Sequence, residues 1–260
     1  MSTFPETPNL FPGRARCQEL HVWDKHGKLV YEDAVPGLYM LNGAAIDNAD
    51  NLYVMAVGNR VIDNKPYPGV MADTLMKFRP GKARVLSAGG RAEVPLSREL
   101  QPKRSADLAG CFYNGRMWVE GAEWLFGGVG FDGYNGGSFS GRICGCINSR
   151  FTLDYFARSF APEIYRYSVA VLDANGNLIM RIGRYGNVDD GQPLDPKAGP
   201  PNARSLGGDE VGLFHPLFVA THSDRRLFIS DFGNFRILSV KLGYHAEEKV
   251  ALKDVKDEKK

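Results

Sequence analysis

The stretch HPLFVATHSDRRLFISDFGNFRILSV, residues 215–240, decides the fold. Leu217, Val219 and Thr221 alternate with Phe218, Ala220 and His222, the period-two pattern of a half-buried strand. Ser223 and Asp224, ahead of Arg225-Arg226, supply a polar turn, and Leu227 to Ser230 makes a second strand that ends at Asp231. Gly233-Asn234 reverses the chain again, and Arg236 to Val240 is a third strand. A fourth run, residues 247–252, follows Gly243. Four short strands within roughly forty residues predict an antiparallel meander the size of one β-propeller blade.

On these residues the chain resembles the NHL repeat, whose blades carry a similar Pro, apolar strand and D-x-x-N-x-R-I pattern. The approach to the blade, GRYGNVDDG (183–191) and GGDEVGLFHP (207–216), is similar to the glycine-rich lead-in of that family. A second unit, GAAID (43–47) followed by DNLYV (50–54) and GNRVI (58–62), echoes the pattern more weakly. The resemblance implies an all-β fold: a β-propeller, or a propeller segment, with NHL-type four-stranded blades. It also implies that Asp231, Asn234 and Arg236 are structural, tying turns and neighbouring blades together. Some family members bind RNA. One is a propeller lyase that cleaves peptidyl-α-hydroxyglycine with zinc held by histidines. Here only His215 stands at a comparable strand start, an expected axial-face residue, and a set of three such histidines is missing.

Outward from that blade, residues 1–16 read as an irregular arm, and residues 17–37 as a half blade with a hairpin around Lys25-His26-Gly27. Residues 38–87 read as one blade, with an inner pair turning at residues 48–50, an excursion over 58–73, and an outer pair of 74–79 with 83–87. Residues 106–183 read as another, with an insertion over 125–164 and an outer hairpin turning on Asp173-Ala174-Asn175-Gly176. A second long connection, residues 184–212, leads to the blade at 211–252, and 253–260 is a charged tail. About three and a half blades fall short of the six common in the family. The chain therefore reads as the C-terminal part of a longer propeller, or as a ring closed by its own C-terminal segment. Further blades from a longer chain or from a second copy would complete it.

The 30 glycines and 15 prolines in 260 residues suit many short strands and turns. A net charge of +2, from 32 basic and 30 acidic side chains, gives no broad single-sign field, so nucleic acid ranks last among partners. No apolar run approaches the roughly 18 residues of a membrane span. The first residues lack the basic-then-apolar order of a signal peptide, so a soluble chain is expected, extracytoplasmic only if residues precede Met1.

Long excursions are where a rigid scaffold carries function, and residues 125–164 are the first place to look. GGVGFDGYNGGSFSG (127–141) lacks the Gly-Lys-Ser/Thr of a phosphate loop and reads as a surface loop. Cys144 and Cys146, one residue apart, are the candidate metal ligands. They suit a single soft ion such as zinc, copper or iron, a small-ring disulfide, or plain packing, and these alternatives stay open. Cys111 and Cys17 are further ligands by residue type alone. Ser149 or Asn148 is placed to cap a short helix with Leu153, Phe156, Ala157 and Phe160 on one face, putting Cys146 at its N-terminus; the alternation of Phe151, Leu153 and Tyr155 equally suits a strand. Glu120 and Glu123, beside Trp118 and Trp124, form a candidate carbohydrate-facing surface. Asp189-Asp190-Gly191 lacks the spacing of a calcium loop and reads as a turn. The expected function is a non-catalytic binding or scaffold module that presents its long loops to a protein or carbohydrate partner. The competing expectation is a metal- or thiol-dependent enzyme centred on Cys144 and Cys146.

Overall fold

The computed structural model describes residues 19–38, 40–69, 71–88, 96–110, 115–130, 148–187 and 211–243. In chain order the strands are β1 (Val22–Trp23), β2 (Leu29–Tyr31), β3 (Leu41–Ile46), β4 (Leu52–Val57), β5 (Asn59–Ile62), β6 (Lys65–Tyr67) and β7 (Asp73–Phe78). There follow β8 (Arg84–Ser87), β9 (Leu108–Ala109), β10 (Arg116–Glu120), β11 (Ala122–Val129), β12 (Thr152–Leu153), β13 (Ser159–Glu163), β14 (Ser168–Leu172) and β15 (Leu178–Ile182). The last are β16 (Arg184–Tyr185), β17 (Gly212–Leu213), β18 (Pro216–His222), β19 (Arg226–Asp231) and β20 (Arg236–Lys241). The fold is all-β: among the described residues the only helices are single 3-10 turns, and none is long and apolar enough to cross a membrane.

Three antiparallel sheets carry the architecture. The first is four-stranded in the order β11-β7-β4-β3, the second four-stranded in the order β12-β13-β14-β15, and the third three-stranded in the order β18-β19-β20. None closes on itself. They stack in sequence order. Tyr53, Met55 and Leu75 of the first sheet bury against Ala161 and Leu172 of the second. Phe160, Val169 and Val171 of the second bury against Val219, Leu227 and Ile229 of the third. A five-stranded sheet, β6-β5-β9-β10-β8, covers the other face of the first sheet through Leu108, Met117 and Val119 on Val54, Ala56 and Met76. These apolar clusters hold the stack together, since each sheet alone leaves a hydrophobic face in water.

Several pairings differ from the sequence reading. Strand β7 does not pair with residues 83–87; it lies between β4 and β11, while β8 pairs with β10. Every residue of β7 is buried, so the backbone N–H and C=O groups on both its edges need partners, and β11 supplies the second set. The excursion 58–73 contains the β5–β6 hairpin of the five-stranded sheet. Residues 125–129, read as the start of an insertion, are strand. Gly127 and Gly128 are there because a Cβ would lie 2.5 Å from Cβ of Arg60 and 2.9 Å from the Tyr67 ring, a close backbone approach rather than a loop. The second sheet draws on residues 152–182 alone, so residues 108–120 belong elsewhere. The short helix expected after Ser149 is instead β12, a turn and β13. The arm, the tail and the strand expected at 247–252 lie outside the described residues.

One local device recurs. At Asp24, Asp47, Asp154 and Asp173 the carboxylate accepts the backbone N–H groups two and four residues on, at 2.8–3.0 Å. The residue three positions on is left-handed each time: Gly27, Asp50, Ala157 and Gly176. The aspartate supplies the acceptor that the reversing backbone lacks. In a fifth turn of the same length His222 replaces the aspartate, and Arg225 is the left-handed residue.

Candidate functional site

Two of these turns stand side by side. Thr221 Oγ1 donates to the carbonyl of Leu153 at 3.0 Å, fastening the β18–β19 hairpin to the β12–β13 hairpin. Between the tips lies a cleft of about 270 Å³, bordered by Tyr155, Phe156, Arg158, His222, Ser223 and Arg225. Tyr155 is 82% exposed and Phe156 69%, with their rings edge-to-face at 5.6 Å. The other aspartate turns place Lys25-His26, Asn48-Ala49 and Ala174-Asn175 at these two positions. The turn closes equally well with small or polar residues, so the two aromatics serve no local folding need. Exposed aromatic rings with no folding role are what a binding surface presents.

The charges around the cleft are ordered. Asp154 holds Arg158 at 2.7 Å through Nε, and the guanidinium sits 5.1 Å from the centre of the Phe156 ring, a cation–π contact that stiffens the tip. Asp224 lies 2.7 Å from Nδ1 of His222 and 3.1 Å from Nε of Arg226. The contact to His222 first, then Lys241 and Arg226, holds the Asp224 carboxyl below the usual carboxylate range. Among the described residues Arg225 has no ion-pair partner, so the cleft offers an unspent cation beside two apolar rings.

The residues expected to matter lie elsewhere. Asp231 is fully buried at the end of β19, where Oδ1 accepts the N–H groups of Phe214 and His215 at 3.0 and 2.8 Å. Its Oδ2 accepts Nδ2 of Asn234 at 2.5 Å and Nε of Arg236 at 3.4 Å. Asn234 also donates to the carbonyl of Gly186, and Arg236 to that of Gly212, reaching the β16 and β17 segments. Glu163 holds the matching place at the end of β13. It accepts two bonds from Arg181, at 2.6 and 3.0 Å, and one from the Ser168 hydroxyl.

His215 is 7% exposed, its ring edge against Phe232. Burial holds its imidazole below the ordinary histidine value, partly offset by the Asp231 charge. The unfolded chain therefore binds the extra proton first as pH falls below about 6.5, and stability declines across that window. Urea midpoints between pH 7.5 and 5 are expected to fall less steeply for His215→Gln than for the natural chain; equal slopes would remove His215 from the effect.

Glu120 and Glu123 are taken up by exposed ion pairs. Glu120 pairs with Arg84, and Glu123 with Lys77 and Arg79, whose hydrogen bonds hold its carboxyl low, Arg79 contributing most. Trp118 is buried, and Trp124 packs against Tyr53 while its indole N–H donates to the carbonyl of Ala174. Cys17, Cys111, Cys144 and Cys146 lie outside the described residues, as do Asp189 and Asp190. Among the described residues no three His, Cys, Asp or Glu side chains are grouped to hold a metal ion. Tyr155 and Arg225 were missed by sequence reasoning. Aligning the D-x-x-x turns, with DYFAR (154–158) the only aromatic member, would have found the first.

No family model matches the chain, and no curated protein matches it. Among solved structures, a protein of unknown function from Bacteroides caccae is similar over 84% of this chain and 69% of that one. At 9% identity and a TM-score of 0.26, that likeness is too weak to bear on fold or function.

Proposed function

We propose that this protein is a non-catalytic binding module, an NHL-type propeller segment that engages a partner protein at the cleft between its β12–β13 and β18–β19 hairpins. The observation that carries the reading is the exposed Tyr155–Phe156 pair in a turn whose three relatives are polar or small. Aromatic rings and arginine are the residues that most often anchor protein interfaces, because they bury large areas at low entropic cost. A cleft of about 270 Å³ fits one side chain of a partner rather than a whole small molecule. Arg225 favours a partner segment with a carboxylate next to that side chain. The repeated aspartate turns and the in-order stacking of sheets support the propeller-segment reading.

The test compares affinity capture by the natural chain with capture by the Tyr155→Ala/Phe156→Ala double variant, whose thermal melt serves as the control for folding. Loss of the captured protein by at least tenfold in affinity, about 1.4 kcal/mol, is the expected result. Undiminished capture would overturn the site. Binding of the natural chain to a glycan array, lost in the same variant, would replace the protein partner with a carbohydrate.

A further inference from the structure

The end of β13 away from the cleft carries hydrogen-bond donors with no acceptor. Glu163 closes the strand, 1% exposed, and its carboxylate takes two bonds from Arg181 and one from the Ser168 hydroxyl. Arg166, in the 3-10 turn that follows, lies 3.8 Å from the same carboxylate, too far to hydrogen-bond. Its guanidinium donates instead to the Tyr67 hydroxyl at 2.7 Å. A hydroxyl oxygen that accepts from arginine keeps its own hydrogen to donate, and among the described residues the Tyr67 hydrogen meets no acceptor. Arg60 stands directly opposite Tyr67 in the β5–β6 hairpin, so the two side chains share a face. Among the described residues its guanidinium has neither a hydrogen bond nor an ion pair. The end of β11 sets these groups beside Arg166. Gly127 and Gly128 lie against Arg60 and the Tyr67 ring, and the N–H of Gly130, next in the chain, donates to the carbonyl of Pro162 at 2.8 Å.

We propose that this corner binds the phosphate group of a small molecule, held by Arg60, Arg166 and the Tyr67 hydroxyl. Three guanidiniums share the corner with one accessible acid, Glu163, which Arg181 already occupies. Asp73, near Gly130, is fully buried and turned to the Asn42 amide, and the exposed hairpin tip adds Asp63 and Lys65, one of each sign. Two positive charges are thus uncompensated at the surface. A phosphate monoester dianion matches them in charge, and its three terminal oxygens accept paired guanidinium N–H groups and the phenol hydrogen together. A carboxylate has one charge and two oxygens, and would leave one arginine unmatched. The guanidinium of Arg166 is held in place by the phenol while its side chain stays 49% exposed, so the site is ordered and open. Free phosphate and a phosphate ester share this chemistry. The site is separate from the partner cleft, which lies at the start of β13.

Calorimetric titration of the natural chain with inorganic phosphate and with phenyl phosphate is expected to show one saturable site. The titration runs at low ionic strength and about pH 8, where a monoester with its second pKa near about 6 is a dianion. Arg60→Gln and Arg166→Gln are each expected to weaken binding at least about tenfold, and Tyr67→Phe about threefold to tenfold. Arg79→Gln, at a side chain 74% exposed beyond the other end of β7, is expected to leave binding unchanged, which separates a built site from general charge. Thermal melts without phosphate control for folding, and either arginine variant carries the test if the other fails to fold. No saturable binding, acetate bound as tightly as phosphate, or undiminished affinity in both arginine variants would each overturn the proposal. Tighter binding of phenyl phosphate would assign the site to an ester, and tighter binding of inorganic phosphate to the free ion.

Discussion

Asp231→Ala is expected to lower the free energy of unfolding by about 3–5 kcal/mol, the usual cost of removing one partner from a buried charged network. The carboxylate is the shared acceptor of two backbone N–H groups, the Asn234 amide and the Arg236 guanidinium. Alanine leaves the His215 N–H and the Asn234 amide without this acceptor in a buried site, where each unmade bond keeps its desolvation cost, while the Arg236 side chain, 38% exposed, stays partly hydrated. With a total stability of roughly 5–15 kcal/mol for a domain, such a loss is a large share. Asp231→Asn keeps the shape and one acceptor oxygen, so it is expected to recover part of the difference. Urea titration reads both. A change below about 1 kcal/mol for the alanine variant would show that the network contributes little.

Phe160→Ala is expected to cost about 3–5 kcal/mol, the range for emptying an aromatic site in a packed core. Its ring fills the seam between the second and third sheets, against Val219, Leu227 and Ile229. Backbone pairing on both sides of β13 prevents the sheets from collapsing into the cavity. The informative contrast is Phe156→Ala in the same hairpin. That ring is exposed and holds no sheet, so its removal is expected to change stability by under about 0.5 kcal/mol. The pair separates folding from binding: one phenylalanine matters to the melt, the other to the partner. Equal costs in urea titration would contradict the burial difference between them.

The strands at 216–240 were legible because alternation along a half-buried strand is a local property, written every second residue. The turn at Asp173 was legible because Asp-Ala-Asn-Gly combines a side-chain acceptor with a glycine for the left-handed position. The turn at Asp154 was not, although the same bonds form there. Its left-handed residue is Ala157, and Phe156 and Ala157 completed with Leu153 and Phe160 an apolar spacing that also fits a helix. The cleft was illegible for a further reason. Its walls come from residues 153–158 and 221–225, and nothing in either segment names the other.

By itself the sequence determined the all-β class, the position of most hairpins and the roles of short polar turns, since each rests on forces within about ten residues. Only the tertiary structure decided which strands are partners across sheets. β7 pairs with β4 and β11 rather than with its sequence neighbour β8, because a buried strand must have its backbone polar groups paired on both edges, and which strand meets that need depends on how the apolar faces pack rather than on chain order. It also decided which of several similar aromatics is core and which is surface. Tyr53 and Phe160 are buried between successive sheets, whereas Phe228 is 37% exposed.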